Sequence, residues 1–307
     1  MIMELSGKWP VKALCDEMSV NRSGFYKYRA RRIAPSERAV KKANDIALFL
    51  TFHRKHPSHG YRWLNAKIRL DLGLVMSDEY ARRCCRYAGI VSESRHYRYR
   101  RPGEPNRSYP NMILASLDVT GPFQVVVSDM TAFWAAGQYW ELTLYMDLWD
   151  DEIVGWGLTS KKGDPSGYYI GLAMFLEAKK EKYMGLETIF HTDHGSVYSS
   201  KGYNEILQPY DITRTMSKPG TPTENGAMES INGWLKTELF MDFLIKESDD
   251  VAKQVANYVK YFNEGRPMCC LGYLTPKQYR DAHLPEADGS KTAKTCLRLP
   301  AIVSTYR

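Results

Sequence analysis

The chain has 307 residues, a formal net charge of +7 and a hydrophobic fraction of 44%, so it is long and apolar enough for two or three folded domains. This composition excludes a disordered polypeptide. Because no stretch of about 18 apolar residues occurs and the N-terminus lacks the apolar segment of a signal peptide, we expect a cytoplasmic protein without membrane contact.

Charge is distributed unevenly along the chain. In residues 1–100, Lys and Arg outnumber Asp and Glu by 12, whereas in the remainder the acids are in excess by 5. A local excess of positive charge favours contact with a polyanion such as nucleic acid. We therefore expect a basic binding region followed by a domain whose acids have a separate role.

Residues 1–45 predict a first helix-turn-helix unit. A turn near Ser19 and an apolar Phe25 fit the spacing of such a unit. Its second helix would project basic side chains that include Arg22 and Lys27. The alternative is an ordinary helical hairpin with a solvated basic face.

Residues 46–94 predict a second unit of the same kind. Apolar periodicity indicates a helix over 61–72 that ends at Gly73, and Ser77 is typical of the cap of a following helix. That helix carries the basic residues Arg82, Arg83 and Arg86. Two such units in tandem favour DNA binding more than either one alone. Residues 95–116 are basic and rich in Tyr and Pro, which predicts a linker that also follows a phosphate backbone.

In a cytoplasmic protein, the six cysteines indicate reduced thiols rather than disulfides. They are Cys15, Cys84, Cys85, Cys269, Cys270 and Cys296. One alternative is a zinc site formed by His53, His56 and His59 with Cys84 and Cys85. Adjacent cysteines do not have the spacing of a zinc knuckle, so buried thiols are favoured.

Residues 117–246 have the alternation of an α/β domain. Three apolar strands come first, and the first of them, "FQVVVSDMT", ends in Asp129. A helix, a strand ending in Asp193, a short helix, a fifth strand and a last helix follow. This order predicts a ribonuclease-H-like core, in which a mixed five-stranded sheet is flanked by helices. Residues 247–307 predict a helical C-terminal segment and tail.

Three acids in this core form a candidate site. Asp129 and Asp193 lie at the carboxyl ends of predicted strands, where open α/β sheets gather their functional groups, and Glu229 lies on the last helix. Three carboxylates suit hard cations such as Mg²⁺ or Mn²⁺. Two such ions about 4 Å apart can activate the attacking oxygen and stabilise the leaving oxygen of a phosphodiester. The alternative is a set of solvated acids at strand ends and on a helix surface.

Longer motifs surround these acids. They are "VSDMT", "HTDHGSVY" and "SKPGTPTENGAMESINGWLKTELF", with 35 residues between Asp193 and Glu229. Further motifs are "GYRWLNAKI", "DLWDDEIVGW" and "YVKYFNEGRPMCCLGYLTPKQY". In all of them the chain resembles the DDE transposases of the third bacterial insertion-sequence family, which are relatives of the retroviral integrases. The resemblance covers about residues 10 to 283.

This resemblance implies roles for particular residues. Asp129, Asp193 and Glu229 would be the catalytic triad and would bind two Mg²⁺ or Mn²⁺ ions. Lys236 matches the basic residue of the family that contacts DNA near the cleavage site, and Asn225 and His194 are further candidates for contact with DNA. The chain departs from the family where "TENGA" stands in place of the frequent "YDNA".

The implied activity is metal-dependent cleavage and strand transfer at the ends of an insertion sequence. The implied partners are the terminal inverted repeats, a target DNA and further copies of this chain in a homo-oligomer. The chain resembles a downstream reading frame, so a fusion with an upstream-frame product is a further implied partner. We expect association with DNA in the bacterial cytoplasm. Two alternatives remain open: a structure-selective nuclease of the same fold, and a DNA-binding regulator with an inactive core.

Overall fold

The computed structural model describes residues 1–93, 119–193, 195–217 and 226–284, with the backbone alone for 226–230. The linker expected at 95–116 lies outside the described residues. Within the described ranges, no helix is both long and apolar enough to cross a membrane.

The described N-terminal part of the chain is helical. Its first three helices are α1 (Ile2–Leu5), α2 (Val11–Glu17) and α3 (Arg22–Ile33). A tight turn with a φ of 52° at Ser19 follows α2, and Asn21 caps α3 by accepting the backbone N–H groups of Ser23 and Gly24. Phe25 is buried, which fixes the α3 face that turns inward.

Three longer helices follow: α4 (Glu37–Lys55), α5 (Tyr61–Leu72) and α6 (Asp78–Ala88). The predicted end of α5 is confirmed, because Gly73 adopts the left-handed φ of 68° that favours glycine. The predicted cap of α6 is also confirmed, since the Ser77 hydroxyl accepts the Tyr80 N–H at 3.3 Å. Helix α4 runs through the expected boundary between residues 45 and 46, and it packs against α5 and α6.

The core is built on one five-stranded sheet in the order β3-β2-β1-β4-β5. The strands are β1 (Val125–Ala135), β2 (Gln138–Asp147), β3 (Ile153–Thr159), β4 (Thr188–Thr192) and β5 (Ile212–Met216). The pairs β1–β2 and β2–β3 are antiparallel, whereas β1–β4 and β4–β5 are parallel. The predicted mixed sheet of the ribonuclease-H-like core is confirmed.

The first strand is longer than the sequence predicted. It continues six residues beyond Asp129, because β1 and β2 form a long hairpin whose ladder runs to Ala135 and Gln138. Ala136 and Gly137 make the turn with φ values of 51° and 69°, a pair of positive angles that matches the twist of a two-residue hairpin. The expectation that β1 ends at Asp129 is therefore wrong. What ends near Asp129 is the parallel ladder to β4.

Helices cover both faces of the sheet. Helices α7 (Ser166–Lys182) and α8 (Lys201–Leu207) contribute to a cluster on one face, and α7 lies so close to β3 that a Cβ on Gly155 would be 2.3 Å from the Gly171 carbonyl oxygen. The other face packs against α9 (Gly226–Met241), α10 (Val251–Glu264) and α11 (Pro276–His283). Two short 3-10 helices, Ile245–Glu247 and Cys269–Leu271, join these three helices.

The end of helix α9 contacts the segment between α4 and α5. The Ser58 backbone N–H and hydroxyl donate to the two carboxylate oxygens of Asp242 at 3.1 and 2.7 Å. His59 Nε2 lies 3.4 Å from Glu238 and 3.3 Å from Asp242, and its ring stacks on Trp63 at 3.6 Å between centroids. These contacts join the helical N-terminal region to the core.

The same contact accounts for the residues of the zinc alternative. His56 stacks on Tyr261 of α10, and burial lowers its pKa to about 4. Cys84 and Cys85 instead lie in the apolar core of the helices α4 to α6, where burial raises the pKa of Cys85 to about 11. In the described part of the chain, no group of three or more His, Cys, Asp or Glu residues is placed to hold a metal.

A buried charge cluster fixes α11 to the sheet. Arg280 donates to Asp147 at 2.8 Å and to Asp150 at 3.0 Å, and it also pairs with Glu152. The side chains of Asp147 and Asp150 are completely buried, and that of Arg280 is 13% exposed. Asp147 additionally accepts the Phe123 backbone N–H at 2.8 Å. This single arginine therefore holds together the end of β2, the turn before β3 and the last described helix.

Candidate active site

Asp129 and Asp193 are brought together by the register of two neighbouring strands. The parallel ladder of β1 and β4 ends at the pair Ser128 and Thr192, and each aspartate is the next residue of its strand or strand end. Partners in a parallel ladder direct their side chains to the same face, and neighbouring strands are about 4.8 Å apart. Both aspartates are half-buried. The strand register thus sets positions 129 and 193 next to each other at one edge of the parallel ladder.

Helix α9 supports the first of these acids. The side-chain amide Nδ2 of Asn232 donates to Asp129 Oδ2 at 2.8 Å, and Asn232 is 8% exposed. Ile231, Leu235 and Leu239 of the same helix are buried against the sheet. Apolar packing therefore fixes the helix, and the amide then fixes the carboxylate.

A tight turn supports the second acid. The Gly195 backbone N–H donates to Asp193 Oδ1 at 2.9 Å. A Cβ added at Gly195 would lie 2.9 Å from that oxygen, so glycine is needed here for the carboxylate to keep its position. Beside it, the Arg214 guanidinium donates to Thr192 Oγ1 at 3.1 Å and stacks over the Phe190 ring at 4.9 Å.

The third predicted acid lies on the correct helix. Glu229 belongs to α9, three residues before Asn232. Residues three apart on a helix are neighbours on its surface, so the backbone of position 229 is one turn from the amide that contacts Asp129. The side chain of Glu229 lies outside the described residues, as do His194 and Asn225 entirely. Their roles remain predictions.

The surroundings of the two aspartates are electronegative. Burial, together with the negative charges of Asp193, Glu141 and Asp129, raises the pKa of the Tyr168 hydroxyl, at the start of α7, to about 12. The three carboxylates lie close enough to this hydroxyl to act on its pKa, so the local potential is negative. Such a potential favours a cation.

Lys236 lies within electrostatic reach of this site. Burial lowers the pKa of its ammonium group, whereas the charge of Asp129 raises it. The side chain is half-buried on α9. The lysine stands seven residues after Glu229, which is about two helical turns.

The other basic residues predicted to contact DNA lie on helix surfaces far along the chain from the acids. Arg82, Arg83 and Arg86 are all exposed on α6, and Arg82 pairs with Glu79 on the same helix. Arg22 and Lys27 are exposed on α3. All five side chains are therefore accessible to a large polyanion.

Two residues of the site were not identified from the sequence. The first, Asn232, had a usable signal, because it follows Glu229 by three positions and therefore shares its side of the helix. Arg214 had none, since an arginine in a short strand next to a second strand is common on any sheet.

The integrase core domain family matches residues 210–276 of this chain. The chain is 25% identical over 284 residues to the transposase InsK of insertion sequence element IS150 from Escherichia coli, which covers 92% of this chain and 97% of that protein. It is 26% identical over 216 residues to the transposase of insertion sequence element IS904 from Lactococcus lactis, with 69% of this chain and 84% of that protein covered.

Among solved structures, the catalytic core domain of the HTLV-2 integrase, determined in complex with magnesium, is similar to this chain. The two are 18% identical, and the match covers 52% of this chain and 97% of that core domain with a TM-score of 0.41.

Proposed function

We propose that this chain is a DDE transposase of the third bacterial insertion-sequence family, which cleaves one DNA strand at the ends of an insertion sequence and joins the new 3′-hydroxyl to another phosphodiester. The observation that carries the proposal is the register that sets Asp129 and Asp193 side by side at the end of the parallel ladder, with helix α9 packed against them.

In this proposal Asp129, Asp193 and Glu229 hold two divalent cations. The donor set is made of carboxylate oxygens in an electronegative setting, which fits Mg²⁺ or Mn²⁺ and does not fit a softer metal. When bound, such ions supply an activated oxygen nucleophile and neutralise charge on the leaving oxygen. The protein's own groups position the three carboxylates. Asn232 and Gly195 orient those of Asp129 and Asp193, and α9 carries that of Glu229.

Basic residues would hold the DNA. The charge of Asp129 raises the pKa of Lys236, so the two side chains are near each other. Lys236 is therefore suited to bind a phosphate next to the bond that would be cleaved at the carboxylates. His194 and Asn225 flank the acids in the sequence and would contact the same strand. The arginines of α6 and the basic residues of α3 would bind the terminal inverted repeat farther away, through phosphates and base edges.

The proposed assembly follows from the reaction. Two element ends must be joined to one target, so we propose that a homo-oligomer of this chain acts on DNA. Fusion with an upstream-frame product would add a further DNA-binding segment.

The experiment uses the purified full chain, a labelled duplex that ends in the element's inverted repeat and a target plasmid. The variants Asp129→Asn, Asp193→Asn and Glu229→Gln keep the shape of each side chain and remove its charge. Each is expected to abolish both cleavage and joining with Mg²⁺ or Mn²⁺, while binding of the duplex persists. The matched control is Glu177→Gln, an exposed acid on α7 that should leave activity unchanged.

Other outcomes select the alternatives. Cleavage without joined product would identify a nuclease, and tight binding of the duplex without cleavage in either metal would identify a regulator. Strand transfer that persists in EDTA, or in one of the three variants, would contradict the assignment of the triad.

A further inference from the structure

Asn232 has two polar groups in different situations. Its amide nitrogen donates to Asp129 at 2.8 Å. Its carbonyl oxygen Oδ1 is buried and has no hydrogen-bond partner among the described residues. The residue as a whole is 8% exposed. A buried acceptor without a donor destabilises a fold, so such an atom indicates a partner other than the described residues.

The position of Asn232 makes it a link between two structural elements. It starts from α9 and contacts β1, and it lies about 4.5 Å along the helix axis from position 229. The Asn232 side chain therefore ties the Asp129 carboxylate to the turn of α9 that carries Glu229. A change in that side chain would alter both the orientation of Asp129 and its spacing from the helix.

We propose that Asn232 is a positioning residue of the divalent-cation site. Its amide orients the Asp129 carboxylate, and its buried carbonyl oxygen would accept a hydrogen bond from a water molecule bound to the cation. This proposal rests on the proposed function, because it takes Asp129 as a metal-binding residue. It goes beyond that function because it gives one side chain, Asn232, the role of holding β1 and α9 at a fixed distance.

The test measures binding of Mn²⁺ to the full chain by calorimetry, without DNA. Hydrogen-bond partners of metal ligands typically change metal affinity or activity by 10–100-fold when they are removed, so Asn232→Ala is expected to raise the Kd for Mn²⁺ by about 10-fold or more. The matched control is Thr237→Ala on the same helix, whose hydroxyl donates to the Gly233 carbonyl oxygen of α9 itself. This control should bind Mn²⁺ as the parent chain does.

A second variant separates positioning from folding. Asn232→Leu fills nearly the same volume and removes the buried carbonyl, so its thermal unfolding without metal is expected at the parent temperature or above it. Its affinity for Mn²⁺ should fall as far as that of the Ala variant. In cleavage assays, both variants should need more metal for half-maximal rate and should regain most of the rate at saturating metal.

The proposal is overturned if Asn232→Leu folds and binds Mn²⁺ with the parent affinity, or if the parent chain itself binds no Mn²⁺. Failure of the proposed function gives a different pattern. In that case Mn²⁺ binds, Asp129→Asn and Asn232→Leu both weaken it, and no DNA is cleaved.

Discussion

Replacing Arg280 by Ala tests how strongly one buried cation holds the core together. The variant leaves Asp147 and Asp150, both completely buried, without the guanidinium that contacts them. Removing one partner of a buried ion pair typically costs about 3–5 kcal/mol, because the remaining charge is neither solvated nor paired. For a domain of about 150–250 residues this corresponds to a decrease in Tm of roughly 6–20 °C.

The destabilisation should depend on pH. Burial and the neighbouring Asp150 raise the pKa of Asp147 from 3.8 to about 8. A carboxyl whose pKa is higher in the folded state binds more protons there, so its contribution to stability is lost as pH rises from about 4 toward 8. Arg280 lowers the pKa of both carboxyls, so its removal raises both, and the folded state must then take up protons to avoid buried charge. That uptake costs more free energy at pH 8 than at pH 5. The destabilisation by Arg280→Ala should therefore be larger at pH 8.

The assay is thermal unfolding followed by circular dichroism at both pH values. Arg82→Ala is the matched control, because the ion pair of Arg82 with Glu79 is more than half exposed and should contribute little. Arg280→Lys keeps the charge but loses the planar fork, so an intermediate Tm is expected. If Arg280→Ala lowers Tm no more than Arg82→Ala at either pH, the buried cluster does not stabilise the core as argued.

Three further predictions concern activity. Gly195→Ala should lower strand transfer by about 100-fold with little change in Tm, because the new Cβ displaces the Asp193 carboxylate. Gly233→Ala, on the exposed surface of α9, should leave strand transfer unchanged. Lys236→Ala should weaken binding to pre-cleaved ends and slow joining, and equal joining by this variant and by Lys260→Ala would contradict the placement near phosphate. Replacing the three exposed arginines of α6 by Ala should reduce the dependence of log affinity on log salt by about 0.9 for each phosphate that these side chains neutralise, and an unchanged slope would remove α6 from the DNA interface.

Much of the fold could be predicted because local signals agreed with tertiary structure. Gly73 ends α5 and Ser77 begins α6 as the sequence indicated, since both act through backbone groups within one turn. The order of strands also followed from the apolar runs. The extent of β1 did not, because its hairpin turns at Ala136 and Gly137, and alanine at a positive φ gives no warning of a turn.

The site was predictable to the extent that strand order determines it. Positions 129 and 193 are adjacent because two apolar strands pair in parallel, and the sequence indicated that both residues lie at strand ends. The role of Asn232 depends on how α9 packs against β1. Asn232 and Asp129 are 103 residues apart in the sequence, so no local pattern indicates their contact. The same holds for Ser58 and Asp242, which are 184 residues apart and share no local pattern.

Helix α9 has a different structural task at each end. Toward its start it carries Glu229 and Asn232, and at its end Glu238 and Asp242 receive Ser58 and His59 from the N-terminal helices. About 15 Å of continuous helix separates Asn232 from Asp242, and an α-helix of this length behaves as a stiff rod. One inserted or deleted residue between them would turn one end by about 100° relative to the other. The length of this segment is thus a mechanical constraint, because it sets the rotation between the carboxylates of the proposed metal site and the N-terminal helices that we propose to bind DNA. A change of length is therefore less tolerable there than a substitution.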